Sequence, residues 1–168
     1  MINYKSLISG IGDLKNTKQY YNNWAKDYES NLKKWNYKIP LKIAQILKKN
    51  LNYTPINVLD LACGTGLFGV ELKKIYKNVN IYGSDISSKC IELAKEKKLY
   101  SGLKISNFEN IIIYKKKFEI ISMVGAMTYC KNFDKLFSNV QFYLLHKGYF
   151  AFSHRVDLWE SQNFDKIL

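Results

Sequence analysis

Apolar residues follow two different patterns along the chain, and these patterns predict its secondary structure. In residues 19–50 they return every three or four positions, as in amphipathic helices. From residue 56 onward, short apolar runs alternate with helical stretches, as in a parallel sheet with crossover helices. The predicted strands are 56–62, 79–83, 103–106, 118–124 and 149–153, and the predicted helices are 19–32, 37–50, 67–76, 87–99 and 133–145. A turn at 146–148 precedes the last strand. We therefore predict an α/β fold with about five parallel strands.

The first predicted helix carries a stripe of aromatic side chains. Tyr20, Tyr21, Trp24 and Tyr28 follow at helical spacing, and Leu32 continues the stripe. The stripe has two interpretations, which the sequence leaves open. It forms either the apolar face of a helix that covers the sheet, or a lid that closes over a ligand and excludes water.

A glycine-rich turn follows the first predicted strand, in the stretch V-L-D-L-A-C-G-T-G-L-F-G that begins at Val58. Gly64 and Gly66 allow backbone conformations and close approaches that a Cβ atom would block, so N–H groups can face a ligand at the next helix. Asp85 lies 19 residues after Gly66, about where a strand-end carboxylate meets the hydroxyls of a ribose.

The glycine spacing alone does not identify the ligand. Gly64, Gly66 and Gly69 match G-x-G-x-x-G, which would suit a nicotinamide or flavin protein equally well. Asp60 lies four residues before the first glycine, at the carboxyl end of the strand. A negative charge there would repel a pyrophosphate and suit an ammonium group. S-adenosylmethionine carries an ammonium group and no phosphate.

Several stretches resemble one known family. D-L-A-C-G-T-G from Asp60, followed by Asp85, closely resembles motif I and the next acidic motif of class I S-adenosylmethionine-dependent methyltransferases. The stretches Y-N-N-W-A-K-D-Y, V-G-A-M-T-Y and L-L-H-K-G-Y-F-A-F-S extend the similarity from about Tyr20 to Arg155. The chain is most similar to the group of Williams–Beuren-region methyltransferase-like proteins and TPR-associated small-molecule methyltransferases. The resemblance implies a Rossmann-like sheet, an N-terminal helical lid, and methyl transfer to a small-molecule acceptor with S-adenosylhomocysteine as product.

The resemblance also implies a set of cofactor-binding residues. Asp85 would hold the ribose, Asn107 and Phe108 the adenine, and the glycine turn the methionine part. Asn107 departs from the Asp that is usual in the family, because its amide carries no charge. The full implied set is Tyr21, Tyr28, Asp60, Ala62, Gly64, Thr65, Gly66, Asp85, Ile86, Asn107, Phe108 and Gly125. The catalytic residues are unknown. Tyr129 and His154 are the candidates for a base, although a lone histidine at a strand end is more often structural.

Length and composition bound these interpretations. At 168 residues with 47% hydrophobic residues, we expect one folded domain over 1–168, with a helical cap at 17–50 and a cofactor-binding core at 55–155. No apolar run is long enough to span a bilayer, and residues 1–12 lack signal-peptide features, so we expect a cytoplasmic protein. Three widely spaced cysteines predict neither disulfides nor a metal site.

The net charge of +12 raises the question of nucleic-acid binding. Arg155 is the only arginine among the 26 basic residues, whereas nucleic-acid readers usually depend on arginine. No N-P-P-Y-type motif follows the fourth strand, where V-G-A-M-T-Y stands instead. Nucleic acid is therefore a disfavoured partner, and a small-molecule substrate is favoured.

Only residues 156–168 remain after Arg155, where the resemblance ends, and they leave room for part of a helix. A full class I core adds one more helix and two strands. The fifth strand is therefore expected to be an exposed edge, through which the chain could form a homo-oligomer. The alternative function is a cofactor-binding domain without independent turnover, which needs a partner chain. An oxidoreductase that uses a nicotinamide cofactor is a third hypothesis, opposed by Asp60.

Overall fold

The computed structural model describes residues 12–110 and 114–167, which form a five-stranded sheet flanked by helices. The strands are β1 (Asn57–Leu61), β2 (Asn80–Asp85), β3 (Tyr100–Ile105), β4 (Phe118–Met123) and β5 (Leu144–Phe152). The helices are α1 (Leu14–Lys34), α2 (Ile39–Asn50), α3 (Leu67–Ile75), α4 (Ser88–Glu96), α5 (Phe133–Tyr143) and α6 (Val156–Trp159), and 3₁₀ turns cover Met127–Tyr129 and Phe164–Lys166. All neighbouring strands pair in parallel. The predicted fold class is confirmed.

The order of the strands determines where a ligand can bind. The sheet runs β3-β2-β1-β4-β5, so the chain builds outward from β1 to β3 and then crosses back to β4 on the other side. Between β1 and β4 the loops at the carboxyl ends turn in opposite directions and leave a crevice. The glycine turn after β1 lies at this crevice.

Alternate residues of the central strands pack on opposite faces of the sheet. Val58 and Ile120 belong to the cluster that includes Leu72 of α3, whereas Leu59 and Ile121 belong to the cluster on the α5 side. All four strand residues are at most 1% exposed. Because both faces are covered, the central strands read as continuous apolar runs in the sequence.

Two of the predicted strands start too late in the sequence. β3 begins at Tyr100 rather than Leu103, because Tyr100 already pairs with Ile81 of β2. The turn predicted at 146–148 lies inside β5, where the register against β4 shifts and Lys147 has a φ of 62°. A Cβ atom on Gly148 would lie 2.8 Å from the Glu119 carbonyl oxygen, so glycine permits this irregular strand to stay close to β4.

Residues after β5 fold back onto the core. As predicted, this segment contains a short piece of helix, α6, and the next turn inserts the fully buried ring of Phe164. That ring contacts Phe133, Phe152 and His154. β5 is an edge of the described sheet, as expected, and its Leu145 and Tyr149 side chains are exposed.

The described residues also bear on membrane insertion and metal binding. None of the helices there has the length and apolar character that crossing a membrane would require. Within the same residues, no three His, Cys, Asp or Glu side chains converge as a metal site, and Cys63, Cys90 and Cys130 are buried and free.

Candidate active site

A cavity of about 180 Å³ lies in the crevice at the carboxyl ends of β1 to β4. Its walls come from the loops that follow these four strands and from one face of α1. The structure brings together most of the residues that the sequence singled out. The predicted residues that line this cavity are Tyr21, Tyr28, Ala62, Gly64, Asp85, Ile86, Asn107, Phe108, Gly125 and Tyr129.

Asp85 is the only carboxylate among the predicted residues that line the cavity. Its Oδ2 accepts the N–H of Gly64 at 2.8 Å, and its Oδ1 accepts the N–H of Ser87 at 2.8 Å. Burial raises the pKa of Asp85, and these backbone hydrogen bonds act in the opposite direction. Each carboxylate oxygen can accept a second hydrogen bond, so the group is fixed in place yet able to receive two ligand hydroxyls.

The three glycines of the turn have different roles. Gly64 has a φ of 54°, and a Cβ atom there would approach only the Tyr28 ring, at 4.0 Å. Gly66 and Gly69 lie instead against the ring of Tyr100, which a Cβ atom would approach within 3.0 and 2.7 Å. Gly64 thus faces the cavity, whereas the other two glycines make space for a side chain of the protein.

Asp60 lies one layer behind the wall of this cavity. It is 1% exposed, and its carboxylate accepts the Tyr100 hydroxyl at 2.8 Å and the Ser122 hydroxyl at 2.9 Å. A separate cavity of about 30 Å³ is lined by Asp60 together with Tyr28 and Gly64. Burial raises the pKa of Asp60 to about 7. The charge expected at Asp60 is therefore only partial at neutral pH, because a desolvated carboxylate binds its proton more tightly.

Thr65 and Gly66, two further predicted cofactor residues, do not line the cavity. Thr65 is 1% exposed and donates its hydroxyl to Glu29 of α1 at 2.6 Å. Lys97, just after α4, donates to the same Glu29 oxygen at 2.6 Å. Thr65 therefore joins the glycine turn to α1.

A second polar contact joins α1 to α4. The Asn22 side-chain oxygen accepts the Ser87 hydroxyl at 2.7 Å and the Lys89 N–H at 3.2 Å. The Ser87 hydroxyl oxygen in turn caps α4 by accepting the N–H of Cys90 at 3.1 Å. We call the contacts of Asn22 and Glu29 the α1 seam.

The aromatic stripe of α1 contributes to both the core and the cavity wall. Trp24 and Leu32 are buried, as expected of a helix that covers the sheet. Tyr21 and Tyr28 line the cavity, and their action as a lid stays a prediction. Tyr21 donates its hydroxyl to the Tyr129 hydroxyl at 3.0 Å, and the two rings meet edge to face.

Neither candidate base has a geometry suited to proton abstraction. Burial raises the pKa of Tyr129, so its hydroxyl stays protonated at neutral pH. The two ring nitrogens of His154 each lie 2.8 Å from a carbonyl oxygen, one of Arg155 and one of the Gln162 side chain. The Gln162 amide nitrogen donates to the Thr128 carbonyl, which fixes the orientation of that amide. His154 therefore ties the last segment to the fold.

Comparison with known proteins identifies the class of this domain. The family described as "Methyltransferase domain" matches residues 54–167, more than half of the chain and the whole sheet. The chain belongs to this family. The match confirms the predicted methyltransferase class, while the narrower group named from the sequence stays a prediction.

Similar proteins extend beyond the matched region. Human methyltransferase-like protein 27 is 30% identical over 123 residues, which cover 71% of this chain and 50% of that protein. The plantazolicin methyltransferase BpumL, solved with a triazolic desmethylPZN analog and SAH, superposes with a TM-score of 0.63 at 19% identity, covering 91% of this chain and 64% of that one. The sugar N-methyltransferase KedS8 from Streptoalloteichus has a TM-score of 0.57 at 15% identity, covering 68% and 46%.

The chain thus spans about half the length of its human relative. The two structural similarities, both under 25% identity, show that this methyltransferase domain shares its fold with those enzymes. None of the comparisons supports the alternative of a cofactor-binding domain without turnover.

Several residues that line the cavity of the methyltransferase domain were not predicted from the sequence. They come from the start of α1, from the loop after β3 and from the segment between β4 and α5. They are Gly12, Asp13, Leu14, Thr17, Ser106, Glu109, Val124, Ala126 and Lys131. Asp13 caps α1 by accepting the N–H of Asn16 at 3.0 Å. The pair Gly12-Asp13 is a helix-start signal that could have placed the beginning of α1 correctly.

A second cavity of about 530 Å³ adjoins the first. Tyr21, Tyr28, Gly125 and Tyr129 line both cavities, so they form the partition between them. His154, which does not line the first cavity, lines the second. The methyltransferase domain therefore has two adjacent chambers, which are separated mainly by three tyrosine side chains.

Proposed function

We propose that this domain binds S-adenosylmethionine in the cavity at the carboxyl ends of β1 to β4 and transfers its methyl group to a small-molecule acceptor. The observation that supports this most strongly is the position of Asp85. Its carboxylate lies at the cavity wall, is oriented by two backbone N–H groups, and is 7% exposed. A ribose needs this kind of buried acceptor for its two adjacent hydroxyls.

The neighbouring residues suit the other parts of an adenosyl group. Asn107 accepts the Glu109 N–H with its side-chain oxygen, so its NH₂ group is the remaining donor for a ring nitrogen of adenine. The Phe108 ring supplies an apolar surface for the base beside it. Gly64 has no side chain to obstruct the methionine part, since the nearest atom to a Cβ there would be 4.0 Å away.

The chemistry of the reaction comes mainly from positioning. The sulfonium of S-adenosylmethionine supplies an electrophilic methyl group when it is bound. Residues of the chain align the acceptor with that group and exclude water, and well-oriented reactants can gain roughly 7 to 11 kcal/mol over free encounter. Tyr21, Tyr28 and Tyr129 are the residues at the partition that would shield the reaction.

A small-molecule acceptor agrees with the size of the second chamber and with the neighbours in fold. BpumL was solved with desmethylPZN analogs, and KedS8 is a sugar N-methyltransferase. Because such different acceptors occur on one fold, the fold alone does not select between them. The residues of the second chamber must supply that selection.

Calorimetric titration of the chain with S-adenosylmethionine, S-adenosylhomocysteine and NAD tests the proposal. We expect the first two to bind with one site and NAD to give no heat, because the Gly64 N–H that would face a pyrophosphate is already donated to Asp85. Asp27→Ala is the matched control for an Asp85→Ala variant, since Asp27 is an exposed aspartate of α1 that does not line the cavity. Absence of binding by both adenosyl ligands would overturn the proposed function.

A further inference from the structure

We propose that the second chamber binds the methyl acceptor, that this acceptor is an uncharged planar aromatic compound, and that the Tyr37 hydroxyl bonds to a polar atom that its ring carries. The inference rests on the proposed function, because it names the acceptor class of the same site. It follows from the aromatic lining of the chamber, from the pairing of the polar groups at its far end, and from the position of Tyr37.

Aromatic side chains form much of the chamber wall. Trp24 and Tyr28 meet edge to face with ring centroids 4.7 Å apart, and the Trp35 ring lies 5.7 Å from Trp24. Trp35 is 50% exposed, so the described part of the chain leaves much of this ring uncovered. The chamber volume of about 530 Å³ is within the roughly 300–1,000 Å³ typical of small-molecule sites. A flat aromatic ligand would gain apolar burial and ring contacts on this wall.

The far end of the chamber offers a ligand no unpaired charge. Arg155 is the one side chain with a permanent charge in the described lining, and it donates two hydrogen bonds to the Asp157 carboxylate, at 3.0 and 2.7 Å. Both ring nitrogens of His154 lie 2.8 Å from carbonyl oxygens of the protein. An anionic ligand would therefore meet a cation that is already paired.

A cationic ligand would find no partner either, because no acidic side chain lines the chamber among the described residues. A charged group that enters such a site loses its hydration and gains no counter-charge in return. The lining therefore favours a ligand without a net charge.

Tyr37 supplies a polar contact close to the donor cavity. A Cβ atom on Gly125 would lie 2.8 Å from the Tyr37 hydroxyl oxygen, and Gly125 lines both chambers. The Tyr37 hydroxyl thus lies at the boundary between the chambers. Burial raises the pKa of Tyr37 to about 12, so this group remains a neutral hydroxyl at physiological pH.

Other hydroxyls near this boundary already have protein partners. Tyr21 donates to Tyr129 at 3.0 Å, and the Ser153 hydroxyl oxygen accepts the N–H of Gly125 at 2.8 Å. Neither Tyr28 nor Tyr37 uses its hydroxyl in a hydrogen bond to another described residue. Tyr28 also lines the donor cavity, whereas Tyr37 does not. Tyr37 is therefore the group that can serve the acceptor alone, by donating to or accepting from an uncharged polar atom.

Three probes with the same ring system and different charges test the proposed acceptor class. They are 2-naphthol, 2-naphthoate and 2-naphthylmethylammonium, measured by calorimetry at pH 7 with the full chain and saturating S-adenosylhomocysteine. We expect 2-naphthol, which is uncharged at this pH, to bind at one site. Each charged compound should bind about tenfold or more weakly, because its charge has no partner in the chamber.

The role of Tyr37 is tested with Tyr37→Phe and a fourth probe, naphthalene, which lacks the hydroxyl of 2-naphthol. We expect Tyr37→Phe to weaken 2-naphthol by about fivefold and to leave naphthalene unchanged, since only 2-naphthol bonds to the lost hydroxyl. Trp35→Ala should weaken both probes by a similar factor, because it removes a ring that each of them contacts. A loss of naphthalene binding equal to that of 2-naphthol in Tyr37→Phe would contradict the proposed hydrogen bond.

Two control variants separate this site from general attraction to an aromatic protein. Tyr53→Phe removes the hydroxyl of an exposed tyrosine, and Phe142→Ala removes an exposed ring. Both residues lie outside the chamber, so neither change should alter the binding of 2-naphthol. Thermal melts of every variant report whether it is folded.

Three further outcomes would each overturn the inference: absence of 2-naphthol binding, binding of a charged compound as tight as that of 2-naphthol, or unchanged affinity for 2-naphthol in Tyr37→Phe. The titration of S-adenosylhomocysteine reports on the proposed function separately. If that ligand binds and 2-naphthol does not, the acceptor class is wrong and the methyltransferase proposal stands.

Discussion

The ends of β1 and β2 each carry an aspartate that the sequence predicts as a cofactor ligand, yet the structure gives the two residues different surroundings. Asp85 meets the N–H groups of Gly64 and Ser87 and lines the large cavity. Asp60 meets the hydroxyls of Tyr100 and Ser122 and lies behind the cavity wall. A carboxylate at a strand end is therefore not a ligand by position alone, because the side chains that reach it decide whether it faces the cavity.

The largest effect is expected at Asp85, where Asp85→Ala should weaken S-adenosylhomocysteine binding by about 1.5 to 3 kcal/mol, since two hydroxyls lose a charged acceptor. Asp85→Asn keeps one acceptor oxygen and should lose less. Calorimetry measures both variants, with melting temperature as the check on folding. Unchanged affinity in Asp85→Ala would mean that the ribose lies elsewhere. Asp85 would then be no more a cofactor ligand than Asp60.

The second prediction concerns the pH dependence of Asp60. Burial raises its pKa from 3.8 to about 7 on folding, so between these values the folded chain holds a proton that the unfolded chain has released. This group therefore stabilises the fold at acidic pH and loses that contribution as the pH rises toward 7. Between pH 5 and 7 the change is at most about 2.7 kcal/mol, at 1.36 kcal/mol per pH unit.

Urea unfolding of the wild-type chain and of Asp60→Asn at pH 5, 6, 7 and 8 measures this dependence. The stability of the variant relative to wild type should rise between pH 5 and 7, because Asp60 ionises in the folded wild type and the amide does not titrate. The difference should level off above that range, once Asp60 is ionised in both the folded and the unfolded chain. A difference that stays constant with pH would show that Asp60 is ionised throughout, as an exposed carboxylate would be.

The third prediction separates the glycines of the turn. Gly69→Ala would place a Cβ atom 2.7 Å from the Tyr100 hydroxyl oxygen, so it should lower stability by about 2 kcal/mol through overpacking. Its binding of S-adenosylhomocysteine should change little, because Gly69 does not line the cavity. In a Tyr100→Leu background the same change should cost much less, and a double-mutant cycle of chemical unfolding measures the coupling. Additive effects would contradict the steric explanation.

The smallest effect is expected at the α1 seam. Asn22→Ala removes an acceptor shared by the Ser87 hydroxyl and the Lys89 N–H, and should lower the free energy of unfolding by about 1 kcal/mol. Asn23→Ala is the matched control, because Asn23 is exposed on the same helix. Denaturant melts compare the two variants. Equal losses would mean that the seam does not hold α1 against α4.

Much of the fold could be predicted from the sequence because local patterns encode it. The short apolar run that begins at Ile56 and the alternation of such runs with helical stretches indicate a parallel sheet wherever they occur. Errors arose where a distant contact overrides the local pattern. β3 begins at Tyr100 because that residue pairs with β2, and β5 passes through the predicted turn because Gly148 lets it stay beside Glu119.

The sequence by itself determined the class of this protein: a parallel α/β sheet, a glycine turn after β1, and a family signature from Asp60 onward. Only the tertiary structure decided which signature residues face the cavity. Tyr100 lies 40 positions beyond Asp60, yet it bonds to that carboxylate and fills the space left by Gly66 and Gly69. Such contacts depend on how strands and helices pack, and spacing along the chain does not encode them.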